Sequence, residues 1–90
     1  MVEHDKHEAK IQITVLVDGL PEKKEYPAAL KVEEVIKSLL PPGEKQNWNQ
    51  YQLTQRNSKQ PLDAQKSLED NGVKDNDTLS FTKKDGGGGN

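Results

Sequence analysis

One apolar stripe constrains this chain most, because it predicts a single amphipathic helix. From Leu30 to Leu40 the apolar side chains recur at helical spacing, and charged or hydroxyl side chains take the opposite face. The sequence Pro41-Pro42-Gly43 follows and ends the helix, since proline cannot donate the next backbone hydrogen bond. The stripe consists of Val32, Val35, Ile36, Leu39 and Leu40.

Most other apolar residues alternate with polar ones, which is the pattern of strands buried on one face. Ile11–Val17 alternates throughout, and the turn residues Asp18-Gly19 lead into a charged strand over residues 22–26. The charge of that strand and the proline that ends it predict a position at the sheet edge. Further strands are predicted around Tyr51 and Leu53, over residues 59–62, and around Leu79 and Phe81, after a polar connection over residues 44–49.

One helix on one face of a mixed sheet is an α+β arrangement, and this is the predicted fold class. Residues 1–10 are expected to form a disordered N-terminal arm, residues 11–84 the folded domain, and residues 85–90 a flexible tail. Within the domain, Gly72 is expected to take a positive φ at a turn. The predicted core includes Ile11, Ile13, Val15, Val32, Val35, Leu39, Leu53, Leu62, Leu68, Leu79 and Phe81.

The charge balance and the lack of cysteine exclude several classes of function. A net charge of −2 gives no reason to expect nucleic acid or an anionic membrane as a partner. Without cysteine the chain has no disulfide, no thiolate metal site and no cysteine nucleophile. No apolar run approaches the ~18 residues of a membrane helix, and no signal-peptide pattern opens the chain, so we expect a soluble, cytoplasmic monomer.

No arrangement of residues predicts catalysis. The chain lacks a glycine-rich phosphate loop between a strand and a helix, and it has no serine with a nearby histidine. His4 and His7 could share a helical face, but a metal site needs more ligands, so solvated histidines are the simpler interpretation. We therefore expect a protein that is not an enzyme and that holds neither a metal nor a cofactor.

The four glycines Gly86–Gly89, followed by Asn90, are the unusual feature of the chain. By composition they are typical of a linker or a frayed terminus. A segment without Cβ atoms can also thread through a narrow enzyme cleft and place a carboxylate there. The composition alone leaves both interpretations open.

Several motifs resemble the ubiquitin family, over most of residues 11–89. The segment Ile11-Gln12-Ile13-Thr14-Val15 looks like the opening strand of ubiquitin, and Val32, Val35 and Leu39 match its helix-core spacing. The chain also resembles predicted bacterial ubiquitin-like proteins that sit beside activating and conjugating enzymes. The most specific match is the succession Lys59-Gln60-Pro61-Leu62-Asp63, Ser67-Leu68-Glu69-Asp70-Asn71-Gly72-Val73 and Asp77-Thr78-Leu79, in the same order and at near-equal spacing.

The resemblance implies a β-grasp fold and a protein-modifier function. In that family an activating enzyme uses ATP to adenylate the terminal glycine carboxylate, enzyme thiols carry the acyl group, and a lysine amine of a target protein receives it. By this likeness Gly89 is the acyl donor, Gly88 is its neighbour in the cleft, and Lys59 is a candidate chain-forming lysine. Asn90 must first be removed by a processing peptidase, for which a zinc-dependent isopeptidase is a candidate.

The sequence departs from ubiquitin on the surface that receptors bind. The outward positions that hold an isoleucine and a valine in ubiquitin fall on Gln52 and Thr82, so receptors that bury that patch should not bind. Leu16 and Trp48 could form a different partner surface, although Trp48 could equally cover the core. The residues before the glycines are Lys83-Lys84-Asp85 rather than rich in arginine and leucine, which predicts a different activating enzyme.

Two other functions remain compatible with the sequence. A sulfur carrier uses the same adenylated glycine to form a thiocarboxylate, but such carriers usually end at Gly-Gly, and Asn90 counts against that function. A non-covalent β-grasp interaction domain would use the glycine tail only as a linker.

Overall fold

The computed structural model describes residues 9–56 and 58–84, which form a mixed four-stranded sheet covered on one face by a helix. The strand order is β2-β1-β4-β3; β1 pairs antiparallel with β2 and parallel with β4, which in turn pairs antiparallel with β3. This is the α+β fold that the sequence predicts. The elements are β1 (Lys10–Val17), β2 (Leu20–Pro27), α1 (Val32–Ser38), a 3₁₀ segment (Pro42–Gln50), β3 (Tyr51–Gln55) and β4 (Thr78–Lys83).

The β1–β2 hairpin turns on two residues with positive φ. Asp18 has φ +54° and Gly19 has φ +82°, and the flanking residues Val17 and Leu20 pair directly. Such a two-residue turn matches the twist of the strands it joins, which explains the Asp-Gly sequence. The predicted charged strand is therefore present and lies at the sheet edge, but it is longer than residues 22–26.

Helix α1 is shorter at both ends than the predicted span of Leu30 to Leu40. At its start Lys31 is extended and bridges to Ser67, so the helix begins only at Val32. At its end the N–H groups of Leu39 and Leu40 bond three residues back rather than four, and a proline follows. Tertiary pairing at one end and proline at the other shorten the helix.

One predicted local structure is wrong, and another is more regular than predicted. Residues 59–62 do not form a strand: only an isolated bridge between Pro61 and Thr54 forms, with the Leu62 N–H donating to the Leu53 carbonyl at 2.8 Å. Pro61 has no N–H to extend that ladder. The predicted connection over residues 44–49 is helical, because Pro42 opens a 3₁₀ segment that continues to Gln50.

The core lies between α1 and the inner face of the sheet. Seven predicted core residues are buried, namely Ile13, Val15, Val32, Val35, Leu53, Leu68 and Leu79. Four others are only half-buried and pack at its margin, namely Ile11, Leu39, Leu62 and Phe81. Ile36 and Leu40 of the apolar helix stripe are buried as well, and so are Tyr26, Ala28 and Val73, which were not assigned to the core from the sequence. The Tyr26 hydroxyl is hydrogen-bonded to Ser38 Oγ at 2.8 Å, which allows an aromatic residue of the edge strand to be buried.

Trp48 packs against the core from the 3₁₀ segment and lies beneath an ion pair of α1. The Lys37 Nζ is 5.8 Å from the centre of the Trp48 ring and 2.9 Å from Glu33 Oε2. The hydrogen bond from Lys37 lowers the pKa of Glu33, and the same bond raises the pKa of Lys37. The cation therefore links the helix to the segment that carries the tryptophan.

Truncation of Leu79 tests whether β4 contributes a buried side chain to the core. Leu79→Ala should lower the free energy of unfolding by ~2–5 kcal/mol, because it leaves a cavity in a packed core. Leu20→Ala is the matched control: Leu20 is 67% exposed, and its loss should cost less than about 0.5 kcal/mol. Urea denaturation followed by circular dichroism measures both values, and equal midpoints for the two variants would contradict this core assignment.

The ion pair on α1 predicts that the pKa of Lys37 depends on the Glu33 carboxylate. Glu33→Gln should bring the pKa of Lys37 back toward its ordinary value, because the neighbouring carboxylate stabilises the ammonium form. Since pairing lowers the pKa of Glu33, its stabilising contribution is present above the unfolded-state pKa and is lost as pH falls through the lowered pKa.

Nuclear magnetic resonance of the Lys37 Cε and Nζ signals across pH measures this effect. Glu34→Gln is the control, because the Glu34 carboxylate lies further away, 3.6 Å from Lys37 Nζ, and its removal should lower the pKa of Lys37 less. An unchanged pKa of Lys37 in Glu33→Gln would rule out the pairing.

Candidate functional site

The structure shows at which end of the sheet the chain leaves β4 and leads toward the predicted tail site. Gly88, Gly89 and Asn90 lie outside the described residues, as do His4 and His7. The last described residue, Lys84, donates its backbone N–H to the Gln50 carbonyl at 2.7 Å. Because β4 runs parallel to β1, the tail leaves the sheet at the end that carries the β1–β2 turn.

Three of the four predicted partner-surface residues share the outer face of the sheet, meaning the face opposite α1. Gln52 lies directly across from Thr82, and Leu16 pairs in register with Ser80. Leu16 and Gln52 each follow or precede a buried residue of their own strand, and Thr82 lies two positions from Ser80, so strand alternation directs all three side chains outward. Trp48 does not join them, because it packs against the core on the helix side.

The outer face is polar where β1, β3 and β4 meet. Its side chains there are hydroxyls and two amides, with Leu16 as the aliphatic exception. Such a face can form hydrogen bonds, but it offers little apolar area to bury against a partner. The outward residues of these strands are Gln12, Thr14, Leu16, Gln52, Thr54, Thr78, Ser80 and Thr82.

Lys59 lies apart from this face, in the connection after β3. Its side chain is exposed, and the loop around it is held by Ser58, whose Oγ accepts the Gln60 N–H at 3.1 Å. An exposed lysine amine can reach an acyl donor held by another protein. The structure therefore presents Lys59 as an accessible amine and separates it from the outer face.

An apolar groove at the tail end of the sheet was not predicted from the sequence. It has a volume of about 610 Å³, and Asp18 and Lys83 are its charged lining residues. Tyr51 and Phe81 stack in its wall, with ring centres 5.2 Å apart and planes inclined by 8°. We call this the end groove; its apolar lining residues are Leu16, Val17, Leu39, Leu40, Pro41, Tyr51 and Phe81.

The sequence carried a partial signal for the end groove. Tyr51 and Phe81 were placed on inward-facing strand positions, and Leu39 on the apolar stripe of the helix. Only the register of β3 with β4 brings the two aromatic rings together, with Leu53 opposite Phe81 and Tyr51 opposite Lys83. Leu39 and Phe81, which the sequence predicts in the core, thus line a surface groove.

The described residues show no arrangement typical of a catalytic or metal centre. Within residues 9–56 and 58–84, no group of three His, Asp or Glu side chains could hold a metal ion. The shifted pKa values of Glu33 and Lys37 are explained by their mutual ion pair. In the same part of the chain, no helix is long and apolar enough to cross a membrane.

Comparison with known sequences identifies no relative, since neither a family model nor a curated protein matches the chain. Solved structures do match. The ubiquitin of Caldiarchaeum subterraneum has a TM-score of 0.64 at 22% identity, covering 89% of this chain and 100% of that protein. The ubiquitin-like domain of the type VII secretion system protein ECCD1 from Mycobacterium tuberculosis has a TM-score of 0.62 at 21% identity, covering 83% and 99%.

A protein designed de novo on the basis of ubiquitin matches as well, with a TM-score of 0.66 at 16% identity, covering 90% of this chain and 96% of the design. At these identities the likeness concerns the backbone and not the surface residues. The strand order, the single main helix and these structural neighbours together show that the chain has the ubiquitin-like β-grasp fold.

Proposed function

We propose that this protein is a ubiquitin-like modifier that partner enzymes attach to amines of target proteins through Gly89. The observation that carries the proposal is the position of the four glycines, which begin three residues after the last residue of the final strand of a ubiquitin-like sheet. The fold supplies a stable body, and the glycines supply a segment thin enough for a narrow cleft. On this view the protein is a substrate of enzymes and not an enzyme itself.

The chemistry requires four steps, each performed by a partner. A peptidase adds water across the Gly89–Asn90 bond and releases asparagine. The freed carboxylate of Gly89 then attacks the α-phosphate of ATP, forming an acyl adenylate and releasing pyrophosphate. An enzyme thiol displaces AMP, and a target amine displaces the thiol to form an amide. The lack of cysteine in this chain is consistent with nucleophiles that belong to partners.

A non-covalent interaction domain is the second candidate, and the end groove supports it. An apolar groove can bind a partner without any reaction at the tail, and ECCD1 carries a domain of this fold within a secretion system protein. The two candidates differ in the fate of Asn90, which only the modifier must lose.

A substitution at Gly89 separates these functions. Gly89→Val should abolish conjugates, because a β-branched side chain obstructs the cleft at both cleavage and adenylation. Gly43→Val is the matched control, since a Cβ at this exposed glycine meets no atom within 4 Å and the site is far along the chain from the tail. Tagged variants are expressed in the source cells, and conjugates are resolved on a denaturing gel and by intact mass.

The expected result is conjugates with the parent and with Gly43→Val, and none with Gly89→Val. Equal conjugation of all three, or linkage through a group other than Gly89, would overturn the modifier proposal. A parent chain that retains Asn90 and forms no conjugate would support the interaction domain. A terminal thiocarboxylate in the intact mass would instead indicate a sulfur carrier.

The polar outer face predicts how the protein differs from ubiquitin in receptor binding. A receptor domain that buries the apolar sheet face of ubiquitin should not bind this protein, because Gln52 and Thr82 would lose water without gaining apolar contact. Nuclear magnetic resonance titration tests this, with ubiquitin as the positive control. Saturable shifts at Leu16, Gln52 and Thr82 would contradict it.

A further inference from the structure

The end groove is a preformed apolar surface next to the last described residues of the chain. Leu39, Tyr51 and Phe81 are each only half-buried, although all three pack at the margin of the core. The stacked rings are held by backbone pairing of β3 with β4, so a partner need not order them on binding. A partner side chain entering the groove would therefore bury apolar area at little entropic cost.

The charged residues that line the groove have no net charge, so they favour neither an acidic nor a basic partner. Asp18 and Lys83 line the groove and contribute one charge of each sign. The binding energy must then come mainly from apolar contact in the wall formed by Leu39, Tyr51 and Phe81. A partner suited to this groove presents a leucine or an aromatic side chain.

The groove lies close to the start of the tail, which favours a partner that binds the tail at the same time. Lys83 lines the groove, and Gly89 lies six residues further along the chain. Gly89 lies five residues beyond Lys84, so a fully extended tail reaches at most about 17 Å beyond Lys84. An enzyme that holds the Gly89 carboxylate in its active site must therefore bring its surface against this end of the sheet.

From these observations we propose that the end groove is the docking site of the activating enzyme that adenylates Gly89. The enzyme inserts an apolar side chain against the Tyr51–Phe81 stack while the tail enters its active site. Leu16, Ser80 and Thr82 of the outer face also line the groove, whereas Gln52 does not line it and is not needed for this contact. The proposal rests on the modifier function, and it assigns the recognition of the activating enzyme to this groove.

A trapping probe tests the groove in the context of the whole domain. The probe is this chain ending at Gly88 and carrying, in place of Gly89, a vinyl sulfonamide of adenosine that mimics the acyl adenylate. The thiolate of an activating enzyme adds to the vinyl carbon and forms a C–S bond, and water supplies a proton to the neighbouring carbon. The adduct forms in lysate of the source cells and survives a denaturing gel.

Tyr51→Ser removes half of the stacked wall and should reduce the initial rate of adduct formation about tenfold or more. Leu39→Ser is a second groove variant and should act in the same direction. Two controls change residues outside the groove: Leu20→Ser removes an exposed leucine, and Gln52→Ser changes the outer face next to Tyr51. Thermal denaturation of each probe confirms folding before the rates are compared.

The outcomes are distinct. Slow labelling with both groove variants and normal labelling with both controls supports the proposal. Equal labelling by all probes overturns the groove assignment and leaves the modifier function intact. No adduct even with the parent probe contradicts the modifier function, and the groove proposal fails with it.

Two other occupants of the groove give different signatures in the free protein. If a second copy of this chain fills the groove, sedimentation shows a dimer that Tyr51→Ser dissociates. If the tail itself fills it, removal of residues 85–90 shifts the aromatic signals of Tyr51 and Phe81. Either result overturns the proposal, because the groove would then be closed to the enzyme.

Discussion

The parallel pairing of β1 with β4 organises the rest of the molecule. It places Val15 opposite Leu79 at the centre of the sheet, and both side chains are fully excluded from water. It joins the first and last strands of the domain, so the chain between them must form a crossover, which contains α1. It also directs the end of β4 to the side of the β1–β2 turn, which sets where the glycine tail leaves the domain.

The long connection between β3 and β4 closes the core from the other side. The Val32 N–H donates to the Lys66 carbonyl, and the Leu68 N–H donates to the Leu30 carbonyl, each at 3.0 Å. These bonds satisfy backbone groups at the start of α1, where no side chain caps the helix. The same connection brings Leu68 and Val73 into the core, so a segment without regular strands contributes buried area.

The outer face of the sheet and the end groove differ in the kind of partner surface that each can bind. The outer face is lined by hydroxyl and amide groups, whereas the end groove exposes aliphatic and aromatic side chains beside the start of the tail. In a modifier, a groove near the tail allows one partner to hold the body and the tail at once. A shared fold with ubiquitin thus leaves room for a different set of partners, because the fold depends on inward side chains and recognition depends on outward ones.

Local patterns in the sequence determined the strands β1, β3 and β4, the Asp18-Gly19 turn, the existence of one helix and most of the buried residues. These features depend on spacing and turn chemistry between near neighbours. Only the tertiary structure decided the first residue of α1 and the isolated bridge of Pro61 in place of a strand. It also decided the position of Trp48 under Lys37 and the stacking of Tyr51 and Phe81 in a groove. These outcomes depend on strand register and on contacts between residues far apart in the chain, which local periodicity does not encode.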